Sequence, residues 1–447
     1  MVQKMRKMKD SGIEWIGEIP EGWEVHRMKS CISQRDGGAW GDEATGETGD
    51  CICLRIADFD YGHFRFTDSN NLTIRHYASP IIKKLLLQKN DILIEKSGGG
   101  EKTPVGRTVL FDKEYPALFA NFMDRLRCSD FILPQYLQYV FVTFYKNRYT
   151  QNYIKQTTGI QNLDLSSMLA DEFVPVPNLN EQKLIVCYLE SKCSKIDNLL
   201  SKTRSSIEEY KKLKQAVITQ SVTKGVRGER EMKDSGIDYI GQIPAKWVLG
   251  KLRNVGDTQN GISKSSEFFG KGFPFVSYSD VYKNYSLPFA VSGLVESTPE
   301  EQERYSVKEG DIFFTRTSET IEEVGFSCVC EKDIPNATFA GFLIRVRPFS
   351  DKLHTPYAKY YFRSTHLRFY LVKEMNLVTR ASLGQSLLKS MPVLLPPLEE
   401  QKEIADYLDA KCAEIDKLIA KKEQLVKELE SYKKSLIYEV VTGKREV

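Results

Sequence analysis

The chain has 447 residues, 41% of them hydrophobic and 28% charged, with 63 Lys and Arg against 60 Asp and Glu. That length admits roughly two to four domains with packed cores, and 11% aromatics exclude a disordered or low-complexity chain. A net charge of +3 implies no nucleic-acid partner by itself, so any basic surface must be local.

The first element in chain order is an arm, MKDSGIEWIGEIPEGW over Met8–Trp23. Asp91–Ile94 and Thr108–Phe111 are short apolar runs after polar turns and read as buried strands. Between them lies Glu95-Lys96-Ser97-Gly98-Gly99-Gly100, a Gly-rich, hydroxyl-bearing, cationic loop. Such a loop can approach a phosphate backbone closely, or can be a solvated hairpin tip. Pro134 opens a helix, and a polar loop follows at Gln156–Asn162. Pro177-Asn178-Leu179-Asn180 then breaks the chain, with Asn180 as the expected cap of a helix that runs to a stop at Gly225.

Beyond Gly225 the order repeats. MKDSGIDYIGQIPAKW at Met232–Trp247 copies the arm 224 residues on, and EQKEIADYLDAKCAEIDKLI from Glu400 copies EQKLIVCYLESKCSKIDNLL from Glu181, 219 residues on. Fainter echoes join them: Asp91-Ile92 with Asp311-Ile312, Val105-Gly106 with Val324-Gly325, and Arg125-Leu126-Arg127 with Arg345-Val346-Arg347. Asp311–Phe314, Phe342–Val346 and Phe273–Ser277 read as strands, with Phe268–Gly272 a loop before the last of these. A helix is expected at Pro356 with Thr355 as its cap, and a polar loop at Thr379–Gln385. A period above 200 residues excludes a solenoid and indicates a duplicated domain with pseudo-twofold character.

Both copied helices carry an apolar seam of period 3.5. In the first it follows Leu189, Cys193, Ile196, Leu200, Thr203, Ile207, Tyr210, Lys214, Val217 and Ser221. In the second it follows Leu408, Cys412, Ile415, Ile419, Lys422, Val426, Leu429, Lys433, Leu436 and Val440, with polar layers at the same places. The pattern predicts two rods of about 60 Å pairing antiparallel as a coiled coil. The fold class is therefore α+β, two tandem α+β domains separated and closed by two long helices. The boundaries fall at 1–180, 181–225, 226–398 and 399–447, each α+β segment carrying its arm.

Signatures of chemistry are scarce. Phe268–Gly272 spells FxGxG without the partner motif of a methyltransferase, and Glu181-Gln182-Lys183 imitates a nuclease tail with no metal-binding Asp at suitable range. No Walker loop stands in the chain, and its five His form no ligand pattern, so no catalytic residue, bound cofactor or metal is expected. Nine scattered Cys make neither a zinc framework nor a disulfide scaffold, which implies reduced thiols. With no run of ~18 apolar residues and no signal-like start, no membrane association and a cytoplasmic location are expected.

The repeated S-G-I-E-W-I-G-E-I-P-E-G-W opening, the repeated P-x-L-x-E-Q-K-x-I-x-x-Y-L helices and the divergent α+β units resemble the specificity subunit of a type I restriction–modification system. The resemblance covers essentially the whole chain. It implies a subunit that reads an asymmetric bipartite target in double-stranded DNA, one half per target-recognition domain. It further implies long helices that pair, space the domains and dock methyltransferase (modification) subunits, with motor/nuclease (restriction) subunits completing the enzyme. Adenine methylation and ATP-dependent cleavage, with their S-adenosylmethionine, ATP and Mg, then belong to partners. The alternatives are a methylation-only assembly and a coiled-coil scaffold that reads no DNA.

The family offers no invariant base-reading motif, so candidate readers come from equivalent polar positions. They are Lys96, Ser97, Gln161 and Asn162 with Arg125 and Arg127 in the first unit, and Arg316, Ser318, Arg380 and Gln385 with Arg345 and Arg347 in the second. Arg grips guanine bidentately and Asn or Gln grips adenine. The alternating Arg pairs fit phosphate contact or a structural ion pair equally.

Overall fold

The computed structural model describes residues 6–67, 71–157, 159–318, 323–374 and 381–447. It divides into two compact units, Met1–Arg204 with Gln424–Val447, and Ser205–Glu423. The division falls inside both long helices, Leu179–Lys224 and Leu398–Val441.

In the first unit a six-stranded sheet runs Ile32–Gly37, Met123–Cys128, Ile92–Glu95, Thr108–Leu110, Arg65–Phe66, Phe59–Asp60. The strand Ile92–Glu95 is buried at every position, as a strand covered on both faces must be. The twofold alternation of strand side chains sorts these residues between two cores. Ile92, Ile94 and Leu126 join the helix Pro134–Lys146 and the long helices, whereas Leu93, Val109 and Met123 join Phe119 and Leu54. A four-stranded sheet, Ala117–Phe119, Asp50–Leu54, Ile74–His76, Asp42–Glu43, stands behind the second core.

The second unit repeats the frame with fewer strands: Gly256–Asn260, Leu343–Pro348, Ile312–Thr315, Ser327–Val329. Its register is the same, with Ile312 opposite Val346 and Phe313 opposite Arg345 where the first unit sets Ile92 opposite Leu126 and Leu93 opposite Arg125. Ile312, Phe314, Ile344 and Val346 face one core, and Phe313, Cys328 and Leu343 the other.

The copied sequence blocks build equivalent joints. Fully buried Gln182 accepts from the Leu133 amide (2.7 Å) and donates to the carbonyls of Phe131 and Pro177 (3.0 and 2.8 Å). Gln401 does the same with His354, Lys352 and Pro396 (2.8, 2.8 and 2.9 Å). Arg6 pairs with Glu181 under Trp23, as Arg230 pairs with Glu400 under Trp247. The hydroxyl of Tyr136 lies 2.7 and 3.1 Å from the carbonyls of Pro175 and Val441, and that of Tyr357 lies 3.1 and 3.4 Å from those of Leu394 and Val222. The blocks the duplication preserved are those that lock long helices onto sheets.

Within each unit the long helices pack antiparallel. In the first, Leu189, Cys193, Ile196 and Leu200 share a core with Leu436, Ile437 and Val440, flanked by partly buried Val426 and Leu429. In the second, Leu408 and Cys412 share a core with Ile218 and Val222. Ile207 and Ile415 are buried, while Tyr210 and Ile419 are half-buried, Tyr210 lying under the Lys422 ammonium. Lys214 and Lys433, polar at the same seam position of the two helices, are satisfied by a duplicated ion pair. Lys433 donates to both Asp197 oxygens (2.7 and 2.8 Å) and Lys214 to both of Asp416 (2.8 and 2.7 Å).

Four sequence expectations need correction. Asn178, not Asn180, caps the central helix by accepting from the Glu181 amide at 3.0 Å. Thr355 is the first helical residue after His354, so it lies inside the first turn rather than at its cap. The seam shifts near the end of the central helix, where Val217 is only half-buried and Ile218 fully so. An α-helix drifts about 20° per heptad against a strict 3.5 repeat, and the core there takes the neighbouring residue. Finally, Phe268–Gly272 is not a plain loop: Phe269–Val276 is one strand whose register jumps between Phe269 and Phe273, both set opposite Val295.

A buried histidine gives the second unit a pH dependence. His366 is 4% exposed, its Nδ1 lies 3.0 Å from the Ser364 hydroxyl, and its Nε2 has no partner among the described residues. Burial lowers its pKa from 6.5 to about 3. The unfolded chain therefore binds a proton below pH 6.5 that the folded chain refuses, and stability falls as pH falls through that value. The slope from this group is about 1.4 kcal/mol per pH unit between roughly pH 6 and 3. Denaturant unfolding at about pH 7 and about pH 5 should show a loss in the second unit that His366→Phe abolishes. An equal loss in that variant would assign the acid sensitivity to other groups.

Candidate nucleic-acid interface

Two of the loops singled out from sequence converge in the first unit. Ser97–Gly98 pairs antiparallel with Ile160–Leu163, Ser97 opposite Asn162 and Gly98 opposite Gln161, and Ile154–Thr157 completes a three-stranded sheet. The Ser97 hydroxyl donates to the Asn162 side-chain carbonyl at 2.6 Å, and Asn162 is exposed. Gln161 points inward instead, 7% exposed, with its carbonyl oxygen accepting from the Val105 amide at 3.3 Å. Lys96 donates to Asp124 at 2.7 Å, a carboxylate it shares with Arg35.

The second unit makes the corresponding contact with a shorter ladder, Thr317–Ser318 against Ala381–Ser382. Arg316 is half-buried, and its guanidinium makes no ion pair or hydrogen bond among the described residues. The Ser318 side chain and all of Arg380 lie outside the described residues. Gln385 is held by the second unit's own sheet: it accepts from Thr258 at 2.7 Å and donates to Asn260 at 3.0 Å.

Three of the four arginines of the Arg-x-Arg pairs make ion pairs, and the fourth, Arg345, is held by neutral acceptors. Arg127 grips Asp91 bidentately (2.8 and 2.9 Å), and Arg347 grips Asp311 in the same way (2.6 and 2.6 Å). The carboxylates raise both guanidinium pKa values further, the side-chain hydrogen bond being the main cause in each. Arg125 is 1% exposed, bound to Asp36 and to the carbonyls of Leu86 and Lys84. Arg345 is 7% exposed, bound to Gln259 and the Ser306 carbonyl, and burial lowers its pKa. Of the twelve candidate readers, Arg125, Arg127, Arg345, Arg347, Gln161 and Gln385 are thus engaged inside the fold. The four arginines recur at equivalent strand positions and mark shared framework, whereas Gln161 and Gln385 are not equivalent, Ala381 standing where the first unit has Gln161.

Among the described residues no group of three or more His, Cys, Asp or Glu could hold a metal, and all nine cysteines are free. Glu95, fully buried beside the candidate loop, has its pKa raised by burial but is gripped by Arg107 at 2.7 and 2.9 Å. No helix among the described residues is long and apolar enough to cross a membrane.

A duplicated α+β frame with divergent polar loops defines a modular recognition subunit. The chain matches the type I restriction modification DNA specificity domain twice, over residues 20–209 and 244–428, and it belongs to that family. It is similar to the MjaVIII type I restriction enzyme specificity subunit of Methanocaldococcus jannaschii, 27% identical over 95% of this chain and 93% of the relative. Among solved structures it resembles a chain of a type I restriction–modification system studied for complex assembly and conformational transition, at TM-score 0.72, 16% identity and 96% and 99% coverage. It also resembles the HsdS subunit of Thermoanaerobacter tengcongensis, at TM-score 0.51, 16% identity and 96% and 98% coverage. The protein is a DNA-recognition subunit of a type I restriction–modification complex.

Proposed function

We propose that each unit reads one half of an asymmetric bipartite target in double-stranded DNA, and that the long helices dock methyltransferase subunits. Motor/nuclease subunits join where a restriction complex forms, and S-adenosylmethionine, ATP and Mg act in those partners rather than in this chain. One observation carries the reading. The two units share register, Asp–Arg pairs and helix joints, yet present different loops on that frame: Ser97 and Asn162 in one, Thr317 and Ser382 in the other. A common frame with unlike loops is what two non-identical readers require. Tethering two weak readers multiplies their effective concentration and their specificity.

Docking is supported by apolar side chains left exposed on the long helices: Leu184 and Leu199 in the first unit, Leu213 and Tyr407 in the second. Methylation-sensitive sequencing of a host carrying this chain with a methyltransferase partner tests the reading. One motif in two unlike parts with an unread gap is expected, and a continuous motif would refute it.

A further inference from the structure

Each unit also presents one exposed phenylalanine on a rigid turn. Ala120-Asn121-Phe122-Met123 closes with the Met123 amide on the Ala120 carbonyl (3.2 Å), and Ala340-Gly341-Phe342-Leu343 with Leu343 on Ala340 (2.9 Å). The residues bracketing each turn are buried, Phe119 and Met123 in one and Phe339 and Leu343 in the other, while Phe122 is 51% and Phe342 63% exposed. Turn positions favour Asn, Asp, Ser or Gly, so an aromatic there is not explained by local structure.

The turns are clamped identically. The Ala120 amide donates to Leu54, and the Phe119 and Met123 carbonyls accept from Ala39 and Gly38 (2.9, 3.0 and 3.0 Å). In the second unit Ala340 donates to Val276, and Phe339 and Leu343 accept from Ile262 and Gly261 (3.0, 2.8 and 3.3 Å). A Cβ on Gly38 or Gly261 would come within 2.2 Å of the Ala120 or Ala340 carbonyl oxygen, so only glycine lets the strand approach. The carbonyl of each exposed phenylalanine accepts, at 2.9 Å, from the amide of the cation opening the candidate reading loop, Lys96 or Arg316.

We propose that Phe122 and Phe342 are apolar wedges that contact the bases of duplex DNA, one in each half-site, without reading sequence. The inference rests on the DNA-reading role above and deepens it. Three features point to DNA as the occupant. The aromatic adjoins a cationic, hydroxyl-bearing loop, and Arg316 beside Phe342 has no internal ion pair among the described residues. The side chain is the same in both units although the loops around it differ, which suits a target feature common to every base step. Every base offers a π-face, and apolar side chains wedge between steps where a backbone is held close.

The test uses the complex assembled with its methyltransferase partner and the duplex target mapped by sequencing. Phe122→Ala and Phe342→Ala should each weaken binding roughly five- to hundredfold, the range for loss of an aromatic–base contact. The methylated motif should be unchanged, and so should the slope of log affinity against log salt, because no phosphate contact is lost. Arg316→Ala should instead lower that slope by about one. The Phe122→Trp variant provides a second readout: emission from the introduced indole should be quenched by target duplex. Undiminished affinity in the double alanine variant, or indole emission indifferent to DNA in Phe122→Trp, would overturn the wedge. So would weakened assembly with the methyltransferase at undiminished DNA affinity, which would make the patch a protein interface. Failure of the unsubstituted complex to bind duplex would instead sink the DNA-reading role itself.

Discussion

Asp311→Ala is expected to destabilise the second unit by about 1.5–3 kcal/mol, the range for losing charged hydrogen bonds and leaving a buried donor unsatisfied. Asp311 is fully buried, holds Arg347 by two hydrogen bonds, and accepts from the Lys308 amide at 2.8 Å. Its removal strips the Lys308 amide of its acceptor and leaves the Arg347 guanidinium holding only the Ser306 carbonyl and hydroxyl (3.0 and 3.3 Å). Hydrogen exchange across Leu343–Pro348 should accelerate in step with a lower urea midpoint. The paired change Asp311→Leu with Arg347→Met should recover much of the loss, because an apolar replacement of both partners leaves no charge to solvate. Unchanged protection in the single variant would mean that the Asp–Arg grip is incidental to the frame.

Ile196→Asp should cost several kcal/mol, through desolvation of a carboxylate in an apolar seam. From sequence, that lesion would break the helical pair and spare the recognition domain. The structure alters the expectation. Ile196 is 6% exposed and belongs to one core with Leu137, Val140, Ile92 and Ile94, so the helix and the sheet of the first unit share their interior. Loss of protection should spread to the amides of Ile92–Glu95 while the second unit, built around Ile312, Val346 and Leu408, keeps its own. Exchange confined to the helix would show that the sheet stands without it.

The duplication and the long helices were legible because they leave local marks: copied blocks, a 3.5 period, and Pro and Gly at the ends. Buried strands such as Ile92–Glu95 were legible as apolar runs after turns. The role of Arg125, Arg127, Arg345 and Arg347 was not, because their partners Asp36, Asp91, Gln259 and Asp311 lie 36 to 89 residues away in sequence. Polarity alone cannot tell a guanidinium that faces solvent from one that faces a buried carboxylate. The Asp91/Asp311 and Arg127/Arg347 echoes did carry a signal, since paired residues recurring together point to a contact between them. Phe122 was not singled out and Phe342 was read as the start of a strand that begins at Leu343, for the opposite reason: an aromatic beside apolar residues reads as core until the turn that expels it is seen. The bulge at Phe269–Phe273 escaped because its glycines mark a loop and a strand irregularity alike.

The most direct measurement of the central claim is a pair of methylomes from one host carrying the methyltransferase partner. One comes with the unaltered chain and one with Ser97→Ala and Asn162→Ala together. Both side chains lie on a small sheet whose shorter counterpart in the second unit carries Thr317 and Ser382 instead, and they contact each other rather than the core. The expected result is a bipartite motif in which one half loses stringency at one or more bases while the other half and the gap stay fixed. Identical motifs from both chains, or stringency lost in both halves together, would contradict the assignment of one half-site to each unit.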